Sequence, residues 1–269
     1  MRNPISSVAL ALGLLCCGGA QAQGALRVCA NPNNLPFSNA KGEGFENRLA
    51  DLIAHDLGEP VRYTWTDEHE GFVKKTIDAG KCDVLVGVPI GFEEVDTTIP
   101  YYTSGYVFVY RNDRKLHLTS MRDPRLRKLK IGVHVLGDDN TPPMEALARQ
   151  HITQNTVGYM IYRDTQVAGH SRMIDDVASG QIDIAAVWGP LAGYYVVHSN
   201  VPLRVEPITD TQTFAPAMFR YAIAMGVRRG DDRRKAKLNQ IIARERRAIG
   251  NLLARYGVPL MDLPARAAG

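Results

Sequence analysis

The sequence predicts an α/β protein of two lobes joined by a two-crossing hinge, with a cleft between the lobes. Two observations predict it. Strand-like and helix-like segments alternate from residue 26 onward, the pattern of α/β units with mainly parallel sheets. The β-branched, aromatic run Tyr106-Val107-Phe108-Val109-Tyr110 is then followed by a polar, basic stretch, after which the alternation starts afresh at Lys130.

Taken in order, Arg2, the Ala-, Leu- and Gly-rich run from Val8 to Leu15 and the small residues leading to Ala22 read as a secretory signal peptide. Cleavage is expected after Ala22, which assigns residues 1–22 to the leader. Its apolar core is too short to span a bilayer. Lobe 1 takes residues 23–108 and 222–269, and lobe 2 takes residues 109–221 with the hinge crossings. In lobe 1, Leu26-Arg27-Val28-Cys29-Ala30 is a short apolar strand that ends in the loop from Asn31 to Ser38. Phe45, Leu49, Leu52, Ile53 and Leu57 repeat at helical spacing until Gly58 stops them. Val61 to Trp65 reads as a strand, Phe72 to Ala79 as a helix closed by Gly80, and Asp83 to Val88 as a buried strand. In lobe 2 the strand Lys130 to Val135, a helix from Pro143 to His151, the strand Thr156 to Tyr162, a helix over Met173 to Ser179 and the strand Asp183 to Trp188 follow. The return crossing falls between Pro202 and Tyr221, Tyr221 to Met225 is a strand, and Arg233 to Tyr256 is one long amphipathic helix that finishes lobe 1 or braces the hinge.

Ligands of open α/β sheets sit at the carboxyl ends of the strands. Chemistry is therefore expected in four loops: Asn31 to Ser38, Val88 to Tyr102, Leu136 to Thr141, and Trp188 to Tyr194. The candidate cleft residues are Asn33, Asn34, Phe37, Gly91, Tyr101, Asp138, Asp139, Asn140 and Trp188, with Trp188 and Tyr101 either lining the cleft or filling it.

Of the four cysteines, Cys16 and Cys17 fall in the leader. Lipid attachment there is disfavoured because Leu15, not a small residue, precedes the first, so no membrane anchor is expected. Cys29 and Cys82 remain, and an even count in an oxidising compartment suggests one disulfide, against two separate buried thiols. A bridge needs Cα atoms about 4.4–6.8 Å apart. The formal net charge of +4 is concentrated in Arg111 to Lys130 and Arg228 to Arg255. Both stretches are interleaved with apolar or acidic residues, which reads as solvated faces or as a patch for an acidic periplasmic partner, and not as a nucleic-acid surface.

Two lobes with two crossings is the logic of the type II periplasmic binding protein. The chain resembles the family-3 solute-binding proteins in Ala79-Gly80-Lys81-Cys82-Asp83-Val84, in Pro100-Tyr101-Tyr102 and in Ser179-Gly180-Gln181-Ile182-Asp183-Ile184-Ala185-Ala186. The combination of Arg27 to Asn39 with Gly87-Val88-Pro89 and Pro100 to Val109 resembles more specifically the MxaJ/XoxJ type, found with pyrroloquinoline-quinone methanol dehydrogenases. That resemblance implies a non-catalytic periplasmic accessory that binds the dehydrogenase and assists its assembly or activation. It also implies no cofactor in this chain, the quinone and metal belonging to the partner. A transport protein for a small solute other than a standard amino acid is the alternative.

Departures from the amino-acid-binding pattern support the first reading. Such proteins grip the ligand carboxylate with an Arg about nine residues before the Pro-Tyr pair, because its planar fork matches a carboxylate. This chain has Gly91 there, followed by Phe92, Glu93 and Glu94. Trp188 and Gly189 precede Pro190 where an ammonium-binding Asp is usual. The second-lobe helix start reads Gly137-Asp138-Asp139-Asn140-Thr141-Pro142-Pro143, with Asp139, Asn140 or Thr141 expected to cap it. No nucleophile elbow, H-E-x-x-H pair or C-x-x-C spacing occurs. His134 reads as a core residue, and Asp67-Glu68-His69-Glu70 as a helix start without calcium-loop spacing. An enzyme reading would need Glu93 as its acid.

Overall fold

The computed structural model describes residues 24–67, 71–136, 139–160 and 168–262. The leader, Glu68 to Glu70 and Asp138 lie outside the described residues. The chain begins with β1 (Leu26–Ala30), a two-residue hairpin β2 (Asn33–Asn34) and β3 (Ser38–Asn39), α1 (Phe45–Leu57), β4 (Val61–Trp65), the single turn α2 (Phe72–Lys75), β5 (Val84–Pro89) and the short β6 (Asp96–Thr97). There follow β7 (Tyr102–Arg111), β8 (Ile131–Leu136), β9 (Asp139–Asn140), α3 (Pro142–Arg149), β10 (Thr156–Met160), α4 (Ala168–Ser179), β11 (Ile184–Trp188) and α5 (Gly189–Val197). The chain closes with β12 (Leu203–Pro207), β13 (Arg220–Val227), α6 (Asp232–Arg244) and α7 (Arg246–Arg255).

The principal path of strands runs β10-β8-β11-β7-β13-β5-β1-β4. Parallel pairs β1–β4, β1–β5, β8–β10 and β8–β11 build the two ends, while β7 and β13 join them. At Tyr102 to Gly105 β7 pairs with β13, and from Tyr106 onward it pairs with β11. The ten-residue strand thus changes partner between Gly105 and Tyr106 and carries the chain from one lobe to the other. Alternation along it explains how both faces of the second sheet are covered. Val107 and Val109 enter a cluster with Met173, Ile174 and Leu191, whereas Phe108 and Tyr110 enter one with Leu118, Ile131 and Leu147. In lobe 1, Val28, Val84, Val86, Met225 and Val227 bury against Phe45, Leu49 and Ile53 of α1 and against Leu238, Ile241, Ile249 and Leu252 of the last helices. Each such side chain contributes about 1.5–3 kcal/mol by leaving water.

Three expectations are corrected. The segment read as one helix over Arg233 to Tyr256 breaks at Glu245, so that Ile241 and Ile242 before the break and Ile249, Leu252 and Leu253 after it all reach the same core. The helix expected over Phe72 to Ala79 stops at Lys75, where the Thr76 hydroxyl bonds back to the Phe72 carbonyl at 2.7 Å and competes with the helical ladder. The stretch assigned to the return crossing also holds β12, whose Val205 and neighbours pair antiparallel with β7 before the chain passes to β13. The expected loop from Trp188 to Tyr194 is the start of α5, with Pro190 inside the first turn, where a missing N–H costs nothing.

Cys29 and Cys82 are disulfide-bonded, with Cα atoms 5.5 Å apart. The bridge closes a 53-residue separation and ties β1 to the approach to β5, stabilising the fold by roughly 2–4 kcal/mol. Beside it, the Arg27 guanidinium donates to Asp83 at 2.9 Å and to the Gly80 carbonyl at 2.8 Å.

Candidate functional site: the strand-end junction between the lobes

At the point where β7 changes partner, the carboxyl end of β11 and the start of β13 come together. Trp188, paired across the sheet with Tyr106, makes edge-on ring contacts to Tyr106 at 5.6 Å and to Tyr221 at 5.7 Å. Tyr106 in turn meets Phe219 at 5.9 Å, and Phe219 meets Phe214 at 6.2 Å. Such offset and edge-to-face arrangements add to simple area burial. Trp188 is half-buried and packs against the cores of both lobes.

The loop after β1 supplies the facing element. Asn31 accepts from the Asn33 backbone N–H at 2.8 Å and its carbonyl accepts from the Ser38 hydroxyl at 2.7 Å, an Asx-type turn that fixes the β2–β3 hairpin. Asn33 is exposed and Asn34 half-buried. Phe37 lies on Phe45 at 5.3 Å between ring centroids and also packs against the second-lobe cluster around Leu191. The Tyr195 hydroxyl of α5 donates to the Leu35 carbonyl at 3.2 Å, and burial pushes its pKa up to about 12, so it stays a donor at neutral pH.

The chain after α7 spans the same junction. The Ser104 hydroxyl donates to the Pro259 carbonyl at 2.6 Å, and the Met261 N–H to the Thr103 carbonyl at 2.9 Å. Gly193 lies so close to Gly257 that a Cβ on it would strike the Gly257 carbonyl oxygen. Tyr194 stacks on Tyr256 at 5.9 Å, with the planes 21° apart. The lobes are braced by the protein's own segments.

The remaining predicted residues fall as follows. Gly91 is exposed at φ +78, and nothing lies within 4 Å of where its Cβ would be. Glu93 and Glu94 beside it are exposed as well. Tyr101 is 8 % exposed and donates to the Val86 carbonyl at 2.9 Å, and burial holds its pKa well above the usual phenol range. It packs within the lobe 1 core. Asp139 and Asn140 pair with Leu136 and Val135, Asn140 being exposed. The expected side-chain cap on α3 is corrected: Thr141 occupies the N-cap but its hydroxyl donates to the His134 carbonyl at 2.8 Å. Pro142 and Pro143 remove two of the N–H groups that a cap would serve. His134 itself is 2 % exposed.

One residue was missed. Glu46, in the first turn of α1, holds its carboxylate against Gly87 of β5, where a Cβ would overlap Glu46 Oε1. Its charge adds to the raised pKa of Tyr101 and Tyr102. The signal was present, a glycine in the middle of a buried strand, but spacing alone does not say which acid approaches it. Among the described residues no cluster of three His, Cys, Asp or Glu is placed to hold a metal ion, and no helix is long and apolar enough to cross a membrane.

The architecture is that of a two-lobed binding protein, and residues 26–257 match the bacterial extracellular solute-binding proteins, family 3. The chain belongs to that family. Within it, the chain is similar to the protein MoxJ of Methylorubrum extorquens, 31% identical over 257 residues, covering 89% of this chain and 83% of that one. Among solved structures it is similar to the periplasmic binding protein XoxJ of Methylobacterium extorquens, with 32% identity, TM-score 0.74, and coverage of 89% of this chain and 100% of the other. It is also similar to MxaJ of Methlophaga aminisulfidivorans, with 27% identity, TM-score 0.79, and coverage of 88% and 100%. The resemblance to the MxaJ/XoxJ type therefore holds over most of the chain.

Proposed function

We propose that the protein is exported to the periplasm and acts there as a non-catalytic accessory of a pyrroloquinoline-quinone-dependent methanol dehydrogenase, binding that enzyme and assisting its assembly or activation. The observation that carries the reading is Gly91. Where amino-acid-binding relatives use a guanidinium fork, this chain presents bare, exposed backbone flanked by carboxylates. A buried ligand carboxylate left unpaired there loses roughly 1–3 kcal/mol or more. Similarity to MoxJ, XoxJ and MxaJ supports the choice of partner. The chain works without a cofactor of its own, the quinone and metal ion being the dehydrogenase's.

A transport role for a solute other than a standard amino acid is the second reading, favoured by the aromatic group of Trp188, Tyr106 and Tyr221, which suits a ring or an apolar chain. Calorimetry of the mature protein against the purified dehydrogenase, apo and metal-loaded, separates the two when an amino-acid and alcohol panel is titrated alongside. Heat of binding with the dehydrogenase alone is the expected result. A tight small-molecule ligand with no dehydrogenase binding returns the protein to the transporters.

A further inference from the structure

On lobe 1, α1 and α7 leave between them a groove of about 480 Å³ that reaches Tyr256 at the edge of the strand junction. Leu52, Ala248 and Leu252 line it, with Arg48 on one rim and Arg255 on the other. The two ends are fastened. Arg244 is ion-paired with Asp56 where α6 gives way to α7, and the Tyr256 hydroxyl donates to the Glu43 carbonyl at 2.6 Å at the far end. The helices are thus held apart at a set spacing and the groove is preformed.

The cations on its rims are under-used. The Arg48 side chain is 52% exposed and among the described residues is ion-paired with Asp51 alone, at 3.8 Å, a pair too open to the solvent to be worth much. Arg247 and Arg255 are exposed and make no hydrogen bond or ion pair among the described residues. Arg255 lines the groove, whereas Arg247, eight residues earlier on α7 and about 12 Å along the axis, lies outside its lining. Basic residues far outnumber acidic ones through the whole stretch from Arg228 to Arg255. Bidentate arginine–carboxylate pairs are among the stronger polar contacts, and an apolar floor between such arginines selects an apolar side chain flanked by acids.

We infer that the groove between α1 and α7 is the docking site for an acidic surface segment of the partner protein, one that carries an apolar side chain between its carboxylates. This rests on the function proposed above and names the surface through which it is exercised. Arg48 stands on α1 and Arg255 on α7, so a segment lying across the groove meets a guanidinium from each helix with the apolar floor between them.

The test is titration of the purified methanol dehydrogenase holoenzyme from the same source into the mature chain, at low and high salt, for wild type, the double variant Arg48→Glu/Arg255→Glu, and Arg247→Glu. Lys115→Glu/Lys128→Glu, on the other basic stretch, is the control. Because the reversed side chains are exposed, thermal melts should match wild type and establish that the variants fold. The expected result is binding weakened by about tenfold or more in the double variant, by less in Arg247→Glu, and unchanged in the control, with the difference shrinking as salt rises. Wild-type binding that the double variant retains in full overturns the groove assignment and leaves the accessory function standing. No binding by wild type overturns both. A concentration-dependent dimer that the double variant loses overturns it in favour of a second copy of this chain.

Discussion

At Asp83, burial raises the carboxyl pKa, but the Arg27 hydrogen bonds and the Arg234 charge outweigh it and hold the group below the ordinary value of 3.8. A depressed folded-state pKa stabilises the fold at every pH above the unfolded value, and the contribution is lost as pH falls through the lower, folded one. Asp83→Asn is therefore expected to cost about 1–2 kcal/mol at neutral pH, discounted because the Arg27 side chain is 42% exposed. In urea titrations the gap between variant and wild type should narrow as the pH is taken below 3.8, and a gap independent of pH would count against the ion pair as its source. At this scale the sequence was partly legible. An even cysteine count pointed to the Cys29–Cys82 bridge without any coordinates. Glu46 over Gly87 and the diversion of the Thr141 hydroxyl to His134 were not legible, since both depend on which groups the tertiary fold brings together.

Among the elements, α5 and the segment after α7 meet in a close backbone contact. Gly193 and Gly257 approach backbone to backbone, a distance that no side chain at 193 permits. Gly193→Ala is expected to destabilise the protein by about 1–3 kcal/mol through forced displacement of one strand of chain. It should also speed hydrogen exchange at the Met261 amide, which donates to Thr103, while leaving β1 and β5 protected. Uniform loss of protection would show that the contact is part of the global core and no local brace. Strands with continuous apolar or alternating patterns, such as β7 and β11, were evident in the sequence, as was α1. The break at Glu245 and the short α2 were not, because periodicity reports which residues are apolar, and both departures come from local hydrogen bonding and from the direction in which the core lies.

For the molecule as a whole, the two-crossing plan followed from the restart of the alternating pattern after Tyr110, and β7 and β13 are the strands that carry it out. What covers the space between the lobes was not readable, because it depends on the Phe37 loop, the Tyr195 to Leu35 hydrogen bond and the Pro259 to Met261 segment meeting from distant parts of the chain. On the proposed accessory reading, a binding protein so braced presents a fixed surface to its partner. The measurement that tests this account most directly is the quinone-dependent methanol-oxidising activity of periplasmic extracts from cells lacking the protein, with labelled-solute uptake followed in the same strain. The account predicts a fall in dehydrogenase activity that the wild-type chain restores, with uptake unchanged. Full dehydrogenase activity together with a lost uptake would contradict it.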